Sequence, residues 1–189
     1  IGGVHNLRNA LAAAAVSRAL DAEWAPILEA LASFRGVRRR FERLGEANGV
    51  AVIDDYAHHP TEIEATLAAV RSMFPGARVV AAFQPHLYSR TRDFADAFGV
   101  SLALADLVYI TDVFPAREAP IAGITGETVV TALQRADQSD VRYVPEVDAL
   151  AETLLGELRR GDVLVTLGAG SIEDVGQRVL DGLEASVHA

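Results

Sequence analysis

Short apolar runs, each followed by a stretch of helical character, recur along most of this chain. That alternation restricts the fold more than any other feature. Val50–Ile53, Arg78–Phe83, Leu107–Thr111, Val141–Val144 and Val163–Leu167 read as strands. Pro60–Met73, Ser89–Leu104, Glu127–Arg135, Val147–Leu158 and Ile172–Leu183 read as the helices between and after them. The strands are continuously hydrophobic rather than alternating, which fits burial on both faces. Strands separated by helices and joined by connections of a few residues imply an α/β fold. The expected architecture is a doubly wound, mostly parallel sheet with helices on both faces.

The first residues have a different texture. Asn6–Leu20 is rich in Ala and Leu and free of proline, so it reads as a helix that is apolar on most faces. Pro26–Leu31 reads as a short second helix, and the pattern changes at Ala32–Gly36. Residues 1–33 are therefore expected to be the tail of a preceding domain, and residues 36–189 a complete domain able to fold alone.

Composition removes several chemistries. The chain has no cysteine, which excludes disulfides, thiolate nucleophiles and Cys-ligated zinc and fits a reducing cytoplasm. A net charge of −9 argues against nucleic-acid or anionic-membrane binding. No apolar run approaches the roughly 18 residues that a membrane span requires. All 17 basic residues are arginine, so a phosphate loop of the G-x-x-x-x-G-K-[ST] type cannot be completed by these residues.

Polar residues gather where the strands end, which is where open α/β sheets bind ligands. Asp54-Asp55-Tyr56-Ala57-His58-His59-Pro60 follows the first strand, and Gln84 through Arg92 follows the second. Asp112 through Glu118 follows the third, and Gly168-Ala169-Gly170-Ser171 the last. Simple structural roles compete for several of these residues. Asp54 and Asp55 suit the end of a strand and the cap of the helix begun at Pro60; Ser89 suits an N-cap; Gly168 and Gly170 suit a tight turn. Arg90 and Arg92 are harder to place, because a cation near a helix start is disfavoured unless an anion is bound there. Arg38-Arg39-Arg40 is a second candidate for holding phosphate. Two aspartates and three histidines at adjacent strand ends also admit a metal-dependent hydrolase. A non-catalytic nucleotide-binding module is a further alternative.

Five motifs, in order, resemble the Mur ligase family. Gly3-Val4-His5-Asn6-Leu7-Arg8-Asn9-Ala10 is similar to the element that closes its ATP-binding central domain. Phe34 through Glu42 is similar to the link into its C-terminal domain. Asp54 through Glu62, Phe83 through Thr91, and Val113 through Glu118 with Gly123-Ile124-Thr125-Gly126-Glu127 extend the match over nearly the whole chain. Phe114 stands where tyrosine is common, and Leu87 where some members carry a basic residue.

The resemblance implies a Rossmann-like C-terminal domain preceded by a helical remnant of the central domain. It implies an ATP-dependent acid–amino-acid ligase acting with Mg2+ in the cytoplasm. L-alanine would be joined to UDP-N-acetylmuramate through an acyl phosphate in peptidoglycan precursor synthesis. A related ligase that attaches a recycled tripeptide is the alternative within the family. By similarity His5, Asn6 and Asn9 lie against adenine, and Arg40 and Asp55 approach ATP from the other side. Arg90 is expected to take the amino acid's carboxylate, with Tyr56, His58 and His86 in the same pocket. His58, His86 and Arg90 are the catalytic candidates, and no metal ligand is assigned here. The nucleotide-sugar and phosphate-loop domains are expected outside this sequence, so the 189 residues alone are expected to be inactive.

Overall fold

The computed structural model describes residues 4–34 and 36–187, with side chains described for 6–34 and 36–186. Two helices come first, α1 (Val4–Ala19) and α2 (Trp24–Ser33). Most of their large apolar side chains face outward, and among the described residues of the pair only Ala14 and Ile27 are buried.

The sheet begins with a hairpin of β1 (Glu42–Ala47) and β2 (Val50–Asp55). The turn is Asn48-Gly49, with φ of 52° and 74°. Two left-handed residues make the turn whose twist matches that of the flanking strands. The chain continues through α3 (Pro60–Met73), β3 (Arg78–Phe83), α4 (Tyr88–Asp93), α5 (Ala95–Leu102) and β4 (Leu107–Ile110). It ends with α6 (Gly126–Arg135), β5 (Val141–Tyr143), α7 (Val147–Glu157), β6 (Asp162–Leu167), a 3-10 turn (Ser171–Asp174) and α8 (Val175–Val187).

The six strands lie in the order β1-β2-β6-β3-β4-β5. Only the β1–β2 pair is antiparallel; β2–β6, β6–β3, β3–β4 and β4–β5 are parallel. The expected doubly wound α/β architecture is what forms. Successive strand residues face opposite sides. Ile53, Ala81, Phe83, Val108 and Val165 pack against α3, α5 and α6 with Ile63, Leu67, Phe98 and Leu133. Val52, Val80, Ala82, Tyr109 and Leu164 pack against α7 and α8 with Leu150, Leu154, Val175 and Val179.

Three local expectations need correction. β1 is a strand that the apolar pattern did not mark; its sequence, ERLGEA, is half exposed at the sheet edge. Asp54 and Asp55 lie inside β2 rather than after it, and both are buried. The single helix expected over 89–104 is two helices. The backbone turns at Phe94 (φ −114°, ψ 15°), and the Phe94 ring packs edge-on against His59 at 4.9 Å.

Candidate active site

From β2 the chain runs to β3, moves outward to β5, and returns to insert β6 between β2 and β3. The carboxyl ends of those three strands make the crevice in which such sheets bind ligands. The ends are stitched together: the Gln84 amide donates to the Leu167 carbonyl at 3.0 Å and the Gly168 amide to that of Asp55 at 3.2 Å. Gly168 has φ of +143°, and a Cβ there would lie 2.9 Å from the Gln84 carbonyl oxygen. A Cβ on Gly170 would lie 2.5 Å from both Gln84 Oε1 and Phe114 Cγ. These glycines therefore let three loops close on one another.

The two aspartates do structural work within the crevice. Asp54 accepts from Arg39 Nε at 2.9 Å and from Thr166 at 2.6 Å. Arg39 also reaches the Gly168 carbonyl and Glu173. The middle member of the arginine run is thus occupied in tying strand ends together, while Arg38 and Arg40 are exposed. Asp55 accepts from the amides of Phe41 and Ala57 and from Thr66 Oγ1, all within 3.0 Å. Burial pushes both carboxyls above the usual range, against the pull of these hydrogen bonds. Neither caps α3. That cap is His59, whose Nδ1 accepts from the Thr61 amide, and Glu62 completes the capping box.

A cavity of about 1040 Å³ lies between the helical pair and the sheet domain. Asn6 and Asn9 line one side, and Arg40, Asp55, Thr61, Glu62 and Thr66 line the other. Four of the five residues implied to hold ATP therefore share one cleft. The fifth, His5, falls in α1, but its side chain lies outside the described residues.

Beside this cleft runs a ladder of rings. Tyr56 lies beneath two guanidinium groups, Arg39 at 5.2 Å and Arg40 at 5.5 Å from its ring centre. Its ring meets His58 at 5.2 Å, His58 meets His86 at 5.8 Å, and His86 stacks on Phe114 at 5.7 Å. His86 and Phe114 also form a parallel backbone bridge. Their loops are further joined by Leu87 N to Phe114 O at 3.0 Å and Phe114 N to Pro85 O at 2.8 Å. Leu87 is held at φ 70°, ψ 131°, a left-handed conformation that a side chain adopts only under constraint.

Arg90 stands close to His86. Burial, followed by the charges of Arg90 and His58, holds the His86 imidazole below its usual pKa. Among the described residues, His86 Nδ1 and Arg90 Nη1 are buried with no hydrogen-bond partner. Asp93, the acid that would have satisfied Arg90, is taken by Arg92 at 2.7 Å. One argument for an anion at Arg90 does not hold, however. α4 has only six residues and places Arg90 and Arg92 in its last turn, where the helix dipole favours cations. Ser89 is also not an N-cap: its amide and hydroxyl donate to Glu118 at 2.9 and 2.5 Å.

Glu62 and Glu118 are site candidates that close two of the motifs but were given no role there. The H-P-T-E spacing from His59 is a capping signal that marks Glu62; Glu118 is marked only as the end of the Val113–Glu118 motif. Among the described residues no three His, Asp or Glu side chains converge as a metal site. None of the described helices is long and apolar enough to cross a membrane.

The family model described as "Mur ligase, glutamate ligase domain" matches residues 39–170. A protein named UDP-N-acetylmuramate–L-alanine ligase from Salinibacter ruber is 48% identical over 184 residues, covering 97% of this chain and 39% of the relative. One of the same name from Cutibacterium acnes is 51% identical over 184 residues, with the same two coverages. The crystal structure of UDP-N-acetylmuramate-alanine ligase from Thermotoga maritima superposes with a TM-score of 0.83 at 31% identity, covering 98% of this chain and 39% of that one. A murein peptide ligase from Psychrobacter arcticus superposes at 0.71 with 27% identity, over 97% of this chain and 38% of that one. The chain thus spans about two fifths of the length of the relatives it matches.

Proposed function

The chain belongs to the Mur ligase family, and from that premise we propose that it is the C-terminal part of a ligase that joins L-alanine to UDP-N-acetylmuramate at the expense of ATP. Residues 4–33 would belong to the ATP-binding domain and residues 36–187 to the domain that brings the amino acid. The cytoplasm is the proposed setting. One observation carries the amino-acid assignment: the buried, unpartnered Arg90 Nη1 beside the unpartnered His86 Nδ1. A planar, permanent cation suits a carboxylate, and although the Glu118 carboxylate feels the Arg90 charge, no acid among the described residues hydrogen-bonds to that nitrogen. The shorter structural distance to the alanine ligase than to the murein peptide ligase supports L-alanine over a recycled peptide.

The cleft fits a nucleotide. Asn6 and Asn9 offer both donors and acceptors to a base edge, and Arg40 opposite offers a charge to phosphates. Asp55 lines the same wall, with its oxygens already shared among internal donors. ATP activates the muramate carboxylate as an acyl phosphate, the chemistry that the family resemblance implies. Magnesium would accompany the nucleotide, but the described residues gather no metal site, so no step is assigned to it here.

What these residues do is bind and orient. Arg90 holds the alanine carboxylate, which turns the amine toward the His58–His86 edge. Tyr56, held under Arg39 and Arg40 and edge-on to His58, lies between the nucleotide wall and the amino-acid pocket. The test is phosphate release by the intact protein. Turnover should require ATP, UDP-N-acetylmuramate and L-alanine together. Release that ignores L-alanine, or prefers a tripeptide, would contradict the assignment.

A further inference from the structure

We infer that Glu62 is a positioning residue that fixes the His58 ring, leaving Nε2 as the acceptor of the amine's proton; this rests on the ligase reading above. Glu62 Oε2 accepts from the backbone amides of His58 at 3.0 Å and His59 at 3.1 Å. Two amide donors locate the carboxylate group, so it does not swing freely as a surface glutamate would. The same oxygen lies 3.4 Å from His58 Nδ1. The carbonyl of Tyr56 lies 3.0 Å from Nδ1 as well. Nδ1 therefore faces two acceptors and carries the proton in the neutral ring, which leaves the lone pair on Nε2.

His86 lacks such an arrangement. Its Nδ1 meets no acceptor among the described residues, and its ring is fixed by stacking on Phe114. Burial and the charges of Arg90 and His58 disfavour its cationic form. His58 has a carboxylate on the far side of the ring to stabilise the imidazolium that proton uptake creates, the logic of an oriented catalytic base. Glu62 keeps its charge there. Burial alone would raise its pKa, but the amides of His58 and His59 and the charges of His58 and Arg40 hold it below the usual range.

In the step itself the alanine nitrogen forms its bond to the activated carbonyl carbon. The phosphate oxygen leaves with the electron pair of the broken C–O bond, and the N–H proton passes to His58 Nε2. The charged and titratable groups against His58 are Tyr56 in its own loop, Glu62 on α3 and His86 after β3; beyond them lie Arg90, which acts on His86, and Arg40 before β1, whose guanidinium lies 3.9 Å from Glu62 Oε1. Glu62 thus stands between the nucleotide wall and the amino-acid pocket.

Glu62→Gln isolates the charge, because glutamine still offers an oxygen to the two amides of the capping box. In the intact ligase, kcat should fall about 10- to 100-fold, while the KM for L-alanine moves less than about threefold. The unfolding midpoint at neutral pH should fall only by the small electrostatic contribution of the carboxylate, and the fold should be retained. An unchanged kcat, or a loss confined to the KM for ATP, overturns the inference. Imidazole NMR of the same protein should find neutral His58 as the Nδ1–H tautomer, with an Nδ1–H resonance that moves in Glu62→Gln; a predominantly Nε2–H ring, or a resonance indifferent to the substitution and so held by the Tyr56 carbonyl alone, overturns it without reference to activity. Absence of L-alanine-dependent turnover in the unmutated enzyme would instead remove the ligase reading, and the response of the Nδ1–H resonance to Glu62→Gln would still test the Glu62–His58 contact.

Discussion

The helical pair at residues 4–33 and the sheet that follows treat apolar surface in opposite ways. In the sheet domain Ile53, Leu67, Phe83 and Leu164 are wholly buried. In the pair Leu7, Leu11, Val16, Leu20, Trp24 and Leu28 are each more than half exposed. Helices on both faces close the sheet's core from residues within the domain. The pair closes nothing of its own; it supplies one wall of the cleft proposed for the nucleotide and leaves large apolar side chains exposed. An apolar surface of this kind marks an interaction site, and the proposed occupant is the rest of the ATP-binding domain. The difference separates what the domain needs to fold from what the enzyme needs to work.

The largest expected effect is a matched pair of truncations. Phe83→Ala should destabilise the sheet domain by about 3–5 kcal/mol, because a buried ring leaves a cavity. Leu11→Ala, on the exposed face, should stay within about 0.5 kcal/mol in this chain. Denaturant midpoints would measure both, and equal costs would erase the distinction.

A smaller effect is expected where the crevice closes. Gly170→Ala puts a methyl 2.5 Å from Gln84 Oε1 and Phe114 Cγ and should cost about 1–3 kcal/mol. It should also disturb His86, which stacks on Phe114, and so raise the KM for L-alanine. Gly170 has φ of −108°, so turn geometry alone does not require glycine there; unchanged stability and an unchanged KM would show that the Gln84 and Phe114 loops yield to the added methyl.

The smallest effect is electrostatic and belongs to the sheet side of the cleft. Glu62 is held below its usual pKa, so its contribution is present above the unfolded value and is lost as pH falls through the folded one. Asp55 is raised, chiefly by burial; its folded form binds a proton more tightly, so stability declines as pH rises through the window above the usual carboxylate range. Glu62→Gln should flatten the acid limb of a stability–pH curve. An acid limb identical to that of the parent would remove Glu62 from the account.

The parallel strands were legible because burial on both faces makes them continuous apolar runs. β1 was not, because an edge strand needs apolar residues on one face only. Its marker is the Asn48-Gly49 turn, a hairpin signal that the search for apolar runs passes over. Most motif residues lie just beyond the strands, with Asp54 and Asp55 inside β2 instead, and their division of labour depends on partners far away in sequence. Asp54 meets Thr166 across the sheet, and Arg39 reaches Glu173 and the Gly168 carbonyl. Ser89 finds Glu118 through a loop from the next strand. Local spacing could mark Ser89 as a cap but could not show that carboxylate. The break at Phe94 was hidden likewise, since the ring's contact with His59 comes from tertiary packing.

The central claim is that Arg90 receives the amino acid's carboxylate. In the intact ligase, Arg90→Ala should raise the KM for L-alanine roughly 30- to 1,000-fold, equivalent to about 2–4 kcal/mol, while the KM for ATP changes little. Arg90→Lys should recover only part of the loss, because an ammonium lacks the planar fork. If Arg90→Ala instead lowers the unfolding temperature and leaves the KM for L-alanine unchanged, Arg90 holds the loop rather than the substrate, and the account is contradicted.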